Sequence, residues 1–116
     1  TSATHEAYSE RQIERTMDAV RVLEKLERFP ASSDLQVQKQ IGVRFVQSAL
    51  AVFRNMSYAS DRKKYDQYER KLKHILKNYK DARRELSLNE KLSVELIFIS
   101  CNLFYSLFKS KHKNNR

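Results

Sequence analysis

SLNEKLSVELIFISCNLFYSLF, residues 87–108, is the stretch around which the rest of the chain must be arranged. From Leu92 to Phe108 the only charge is Glu95, and twelve of the seventeen residues are apolar or aromatic. A segment apolar on nearly every side has to be enclosed by other helices or lie against lipid. At about 1.5 Å per residue it reaches roughly 26 Å, short of the roughly 20 residues that a bilayer span needs. Glu95, Ser100, Asn102 and Ser106 weaken a spanning role further. The expectation is a buried central helix in a helical domain.

Working outward, the composition agrees. The chain has 116 residues, one glycine and one proline. That length makes one domain, able to bury roughly two thirds of the surface its unfolded form exposes. Turn residues this scarce argue for long helices and against a sheet-rich fold. The single cysteine, Cys101, lies inside the most apolar segment and reads as a packed small hydrophobe, which fits a reducing compartment. The N-terminus lacks a basic start followed by an apolar run, so no secretory signal is expected, and Thr1 reads as the start of an excised fragment. The net charge of +9 is uneven: residues 60–86 hold 10 basic against 5 acidic groups, and residues 109–116 hold 4 basic and none acidic. Such asymmetry points to an acidic partner surface, phosphate groups or anionic lipid.

Residues 1–8 show no apolar period and read as an extended lead-in. Ser9 with Gln12 has capping-box spacing, and Ile13, Met17, Val20, Leu23 and Leu26 then line one face of a helix over about 10–29. Phe29 before Pro30 ends it. Pro30-Ala31-Ser32-Ser33 reads as a turn, with Ser33 capping a second helix over about 34–57. Gly42 sits inside that helix at a cost of about 1 kcal/mol relative to alanine, so close approach of another helix is expected there. Ser60 opens a third helix over about 61–86, in which Tyr65, Tyr68, Leu72, Ile75, Tyr79, Ala82 and Leu86 make a heptad-like seam. Lys63, Arg70, Lys77 and Arg84 recur every seven residues on its other side, with Lys73 and Lys80 beside them. Ser87 with Glu90 caps a fourth helix over about 88–109, which ends in a basic tail at 110–116. Four helices of about 20 residues with short links make an all-α antiparallel bundle the expected architecture.

No catalytic constellation emerges. His5, His74 and His112 have no cysteine or carboxylate at ligand spacing, and one glycine cannot build a phosphate loop. Ser9, Ser33, Ser60 and Ser87 are explained as caps, and Glu95 as a side chain emerging at the rim of the bundle. No catalytic residue, metal ligand or cofactor is assigned to this chain. The candidate site is a contact for an anionic surface, built from Lys63, Arg70, Lys73, Lys77, Lys80 and Arg84 with Lys109, Lys111, Lys113 and Arg116 of the tail. Nucleic acid is the rival occupant, but Tyr65, Tyr68 and Tyr79 occupy the seam and Asp66, Glu69, Asp81 and Glu85 dilute the field.

The order of segments resembles the C-terminal helical region of bacterial family-2 glycosyltransferases, which build surface polysaccharides. The residues that carry the likeness are Thr1-Ser2-Ala3-Thr4-His5 with Ser9-Glu10-Arg11-Gln12-Ile13, then Leu72-Lys73-His74-Ile75-Leu76-Lys77-Asn78-Tyr79. Leu86-Ser87-Leu88-Asn89-Glu90-Lys91-Leu92 and Leu103-Phe104-Tyr105-Ser106-Leu107-Phe108-Lys109 follow in the same order. The family's Asp-x-Asp motif has no counterpart. The resemblance implies a non-catalytic helical domain of an enzyme that transfers a sugar from a nucleotide-sugar donor. It implies a cytoplasmic module that steadies the catalytic domain of the parent chain, shapes the acceptor side, or holds the enzyme at the inner face of the cell membrane. A free-standing basic module for nucleic acid or protein is the alternative, and a homo-oligomer through the helix-three seam is a further one.

Overall fold

The computed structural model describes residues 2–28, 34–79 and 81–114, with side chains described over 8–28, 34–79 and 81–109. It is all-α, with no strand among the described residues. The described residues form five α-helices: α1 over Ser2–Glu27, α2 over Leu35–Met56, α3 over Asp66–Asn78, α4 over Leu88–Ile99 and α5 over Cys101–Asn114. Short 3₁₀ turns at Arg62–Tyr65 and Asp81–Glu85 flank α3.

The centre of the molecule is α2, and not the apolar segment near the C-terminus. Phe45, Val46, Ala49, Leu50, Val52, Phe53 and Met56 are all closed off from solvent, and in helical register they fill one broad face of the helix. α1, α3, the second 3₁₀ turn, α4 and α5 all touch α2. Against it, α1 packs Ile13, Met17 and Val20. The pair is antiparallel: near the end of α2, Asn55 donates from Nδ2 to the Gln12 carbonyl and to Thr16 Oγ1 in the middle of α1, both at 3.3 Å, while Tyr79, set against Gly42 in the first half of α2, donates to Glu27 at the end of α1 at 2.7 Å. Because α1 already begins at Ser2, Ser9 lies within it and caps nothing. The Pro30-Ala31-Ser32-Ser33 link lies outside the described residues; α2 is capped by Asp34, whose carboxylate accepts from the Gln36 amide at 2.9 Å.

Gly42 is explained by contact. A Cβ at this position would stand 3.0 Å from Tyr79 Cδ1 and 3.4 Å from Ala82 Cβ. The expected close approach is therefore real, and it comes from the segment around the second 3₁₀ turn. The heptad-like seam of the third segment is also spent inside the chain. Tyr65, Leu72, Ile75, Ala82 and Leu86 are buried in the common core, with Tyr68 and Tyr79 packed at its edge. That segment is not one helix over 61–86. It breaks after Asn78, and the Arg83 guanidinium donates to the Leu76 carbonyl at 2.9 Å, satisfying an end of α3.

The fourth helix divides as well. Ser87 and Glu90 make the expected capping box: the Glu90 amide donates to Ser87 Oγ at 3.2 Å, and the Ser87 amide donates to Glu90 Oε1 at 3.0 Å. Ten residues on, Ser100 adopts an extended conformation (φ −167°, ψ 119°). Its amide closes α4 on the Leu96 carbonyl at 2.8 Å, while its Oγ accepts from the Leu103 amide at 3.3 Å and its carbonyl from the Phe104 amide at 3.1 Å. One serine thus ends one helix and caps the next. The elbow lets α5 turn back along α4, so that Phe104, Tyr105 and Phe108 reach Phe53 and the core.

Candidate functional site

Helix α3 sorts its cations by side. On the edges that face other helices they are paired: Lys71 meets Glu24 of α1 at 2.7 Å, and Lys64, just before α3, meets Glu10 at 2.8 Å. On the outward face, Lys63, Arg70 and Lys77 are exposed, as are His74 between them and Arg84 beyond, and Lys73 is half-buried. None of those five lysines and arginines forms an ion pair among the described residues. On α3 itself the seven-residue recurrence noticed in the sequence is kept by Arg70 and Lys77; Lys63 falls on the 3₁₀ turn before the helix and Arg84 on the one after it, both out of the helical register. Lys80 and Arg116 lie outside the described residues, and the side chains of Lys111 and Lys113, in the last turns of α5, do as well. Lys109 is exposed.

The aromatic residues of this region face inward. The Tyr68 hydroxyl donates to the Glu14 carboxylate at 2.8 Å and accepts from Arg21 at 2.9 Å; the Tyr79 hydroxyl donates to Glu27 at 2.7 Å. Burial pushes both phenols above their ordinary range, and the carboxylate partners add to it. Tyr65, Tyr68 and Tyr79 are thus not available as stacking platforms for nucleotides, and the exposed ring beside the row is that of His74.

Sequence reasoning missed two features. The first is a clamp between α3 and α5. Tyr105 is buried and donates to Glu69 at 2.9 Å, while the Arg62 guanidinium stands 4.7 Å from its ring centroid. Cys101 lies in the same corner, its thiol pushed up to about 11 by burial and secondarily by Glu69, with Lys73 nearby opposing the shift. Partners 36 residues apart leave no periodic trace in the sequence.

The second feature corrects an expectation. Residues 88–108 do not form an enclosed central helix. The inner side is buried at Val94, Ile97, Cys101, Phe104 and Tyr105. The outer side is open: Leu88 is 72% exposed, Leu92 54%, Ile99 73%, Leu103 43% and Leu107 49%. Leu92 and Leu107 line one groove between the two helices, floored by Leu96, Phe104 and Phe108 and edged by Arg54. Exposed aliphatic side chains gathered on one side of two helices are out of keeping with a solvated face, which is ordinarily polar. Glu95 is exposed on the same face of α4 as Leu88, Leu92 and Ile99, in keeping with its reading as a rim residue.

Among the described residues no cluster of histidine, cysteine and carboxylate side chains could hold a metal ion, and no helix is long and apolar enough to cross a membrane. Compared with protein-family models, curated proteins and solved structures, the chain matches none.

Proposed function

We propose that this chain is a non-catalytic helical module of a glycosyltransferase, one that transfers a sugar from a nucleotide-sugar donor in surface-polysaccharide synthesis, and that its task is attachment. The observation that carries the reading is the open apolar face of α4 and α5. A domain that stands alone buries such residues or replaces them with polar ones; five aliphatic side chains on one hairpin belong to a surface that is covered when the protein works. The segment order from Leu72 to Lys109 supplies the family. The row of unpaired cations on α3 supports a location beside negative charge. A module that reads single-stranded nucleic acid is less well supported, because Tyr65, Tyr68 and Tyr79 are committed to the core and to carboxylate partners.

The reading is tested by the coding sequence upstream of Thr1. A doubly wound domain carrying an Asp-x-Asp motif is the expected result. An upstream region without any transferase domain overturns it.

A further inference from the structure

The outer side of the α4–α5 hairpin carries its own pattern. On α4, Leu88, Leu92, Glu95 and Ile99 follow at spacings of four, three and four, so they form one stripe, and all four are exposed. Paired helices meet each other along stripes of this spacing. On α5, Leu103 and Leu107 share one side, and Leu107 lines the same groove as Leu92. Tyr105, which holds Glu69 of α3, lies on the other side of α5, so the stripe turns away from the cations of α3. Within residues 88–108 the charged groups are Glu90, Lys91 and Glu95, and Glu90 is engaged in the capping box. Lys91 and Glu95 are exposed, and neither forms an ion pair among the described residues.

From this pattern we propose that the outer face of α4 and α5 pairs with the same face of a second copy of the chain, about a two-fold axis that sets the two α4 helices antiparallel. The inference rests on the preceding reading only in taking this face to be covered in use. Charge selects the occupant. An acidic partner would meet Glu95 in the middle of the stripe, where like charge repels it. A second copy brings a cation instead. With the helices crossing midway between Leu92 and Glu95, Glu95 stands opposite the second copy's Leu92 and beside its Lys91, while Leu88 stands opposite its Ile99. Each contact then occurs twice, as a two-fold interface requires. Most of the excess positive charge lies elsewhere, in residues 60–86 and 109–116, so the two chains can meet here without pressing those cations together. Area agrees. At roughly 30 Å² per side-chain carbon, the exposed parts of Leu88, Leu92, Ile99, Leu103 and Leu107 come to about 400 Å². A stable interface takes roughly 800 Å² from each partner, and a little over half of it is apolar. The groove floored by Leu96, Phe104 and Phe108, about 420 Å³ in volume, gives an aliphatic side chain of the second copy a hole to enter. The seam of the third segment is committed to the core and offers no rival surface for a copy.

Sedimentation equilibrium of the whole chain tests this. A reversible monomer–dimer equilibrium is expected, with the dimer favoured as concentration rises. Leu92→Ser with Leu107→Ser raises the dissociation constant at least about 100-fold, because a two-fold interface loses four leucines. Lys91→Glu and Glu95→Lys each weaken the dimer when present alone, since like charges then face each other. An equimolar mixture of these two variants dimerises again, because each offers what the other lacks. All four positions are exposed, so each variant should keep the parent's helical circular dichroism. A monomer at every concentration overturns the proposal, as does a dimer indifferent to the leucine pair or a mixture of charge variants that stays monomeric. A monomer that instead floats with phosphatidylglycerol vesicles also overturns it and gives the face to a bilayer. The family reading fails separately: an upstream region with no transferase domain removes the accessory module and leaves the dimer intact, while a monomeric chain with such a domain upstream removes the dimer alone.

Discussion

Replacing Phe104 by alanine removes a ring that is 2% exposed and wedged among three others. Phe53 of α2 meets it edge-on at 6.2 Å between centroids, Phe108 stacks on it at 5.8 Å, and Tyr105 tilts against it at 5.9 Å. A buried phenylalanine cut to alanine costs about 3–5 kcal/mol, and lost ring pairs put this site toward the upper half. A domain of 116 residues has roughly 6–17 kcal/mol in total, so the variant should still fold. At about 4 °C per kcal/mol, its melting temperature should fall by about 12–20 °C. The informative comparison is Ile99→Ala, five residues earlier in the same apolar stretch but 73% exposed. Its loss is within about 0.5 kcal/mol, or about 2 °C, because little area returns to water and alanine is the better helix former. Thermal melts and urea titrations followed at the helical circular dichroism band measure both. Similar losses in the two variants would refute one-sided burial and return the segment to the centre of the core.

Three further outcomes follow from the geometry. Gly42→Ala gains about 1 kcal/mol in helix propensity but drives a methyl against Tyr79, whose ring is stacked on Phe45 at 5.0 Å and tied to Glu27; overpacking of about 1–3 kcal/mol should outweigh the gain, and a higher urea midpoint would show that the ring yields freely. Ser87→Ala removes one half of the capping box and unseats the other, lowering stability by about 1 kcal/mol in the same titration, with no change meaning that the box contributes nothing. Alkaline stability should decline: burial raises the Cys101 thiol to about 11 and lifts the Tyr79 and Tyr105 phenols further, so the fold prefers their protonated forms. That contribution is complete below the ordinary values of 9.0 and 10.0 and drains as pH rises through the folded ones. Urea midpoints should hold between about pH 6 and 8 and drop above about pH 9, more gently in Tyr105→Phe; a flat profile to about pH 11 contradicts the burial of these groups.

By itself the sequence determined the class of fold and most of its local devices. Scarce glycine and proline with apolar spacings of three and four can only be satisfied by helices, and the Ser87 box and the pressure on Gly42 were legible for the same reason. These are short-range facts, decided by backbone sterics and by neighbours within one helical turn. Which helix would be central was beyond that reach. The segment 92–108 is the most apolar, yet α2 holds the middle, because burial depends on how many neighbours a helix acquires and not on its own hydropathy. Ser100 could have continued a helix; folding α5 back brings Phe104 and Tyr105 onto Phe53, and that gain in burial outweighs the broken backbone ladder. The cation row was visible as a repeat, but only packing showed which cations already had carboxylates: Lys64 and Lys71 find theirs on α1, 54 and 47 residues back along the chain, while Lys63, Arg70 and Lys77 face away from it. The open apolar surface exists because packing turns one side of α4 and α5 inward and leaves Leu88, Leu92, Ile99, Leu103 and Leu107 on the outside.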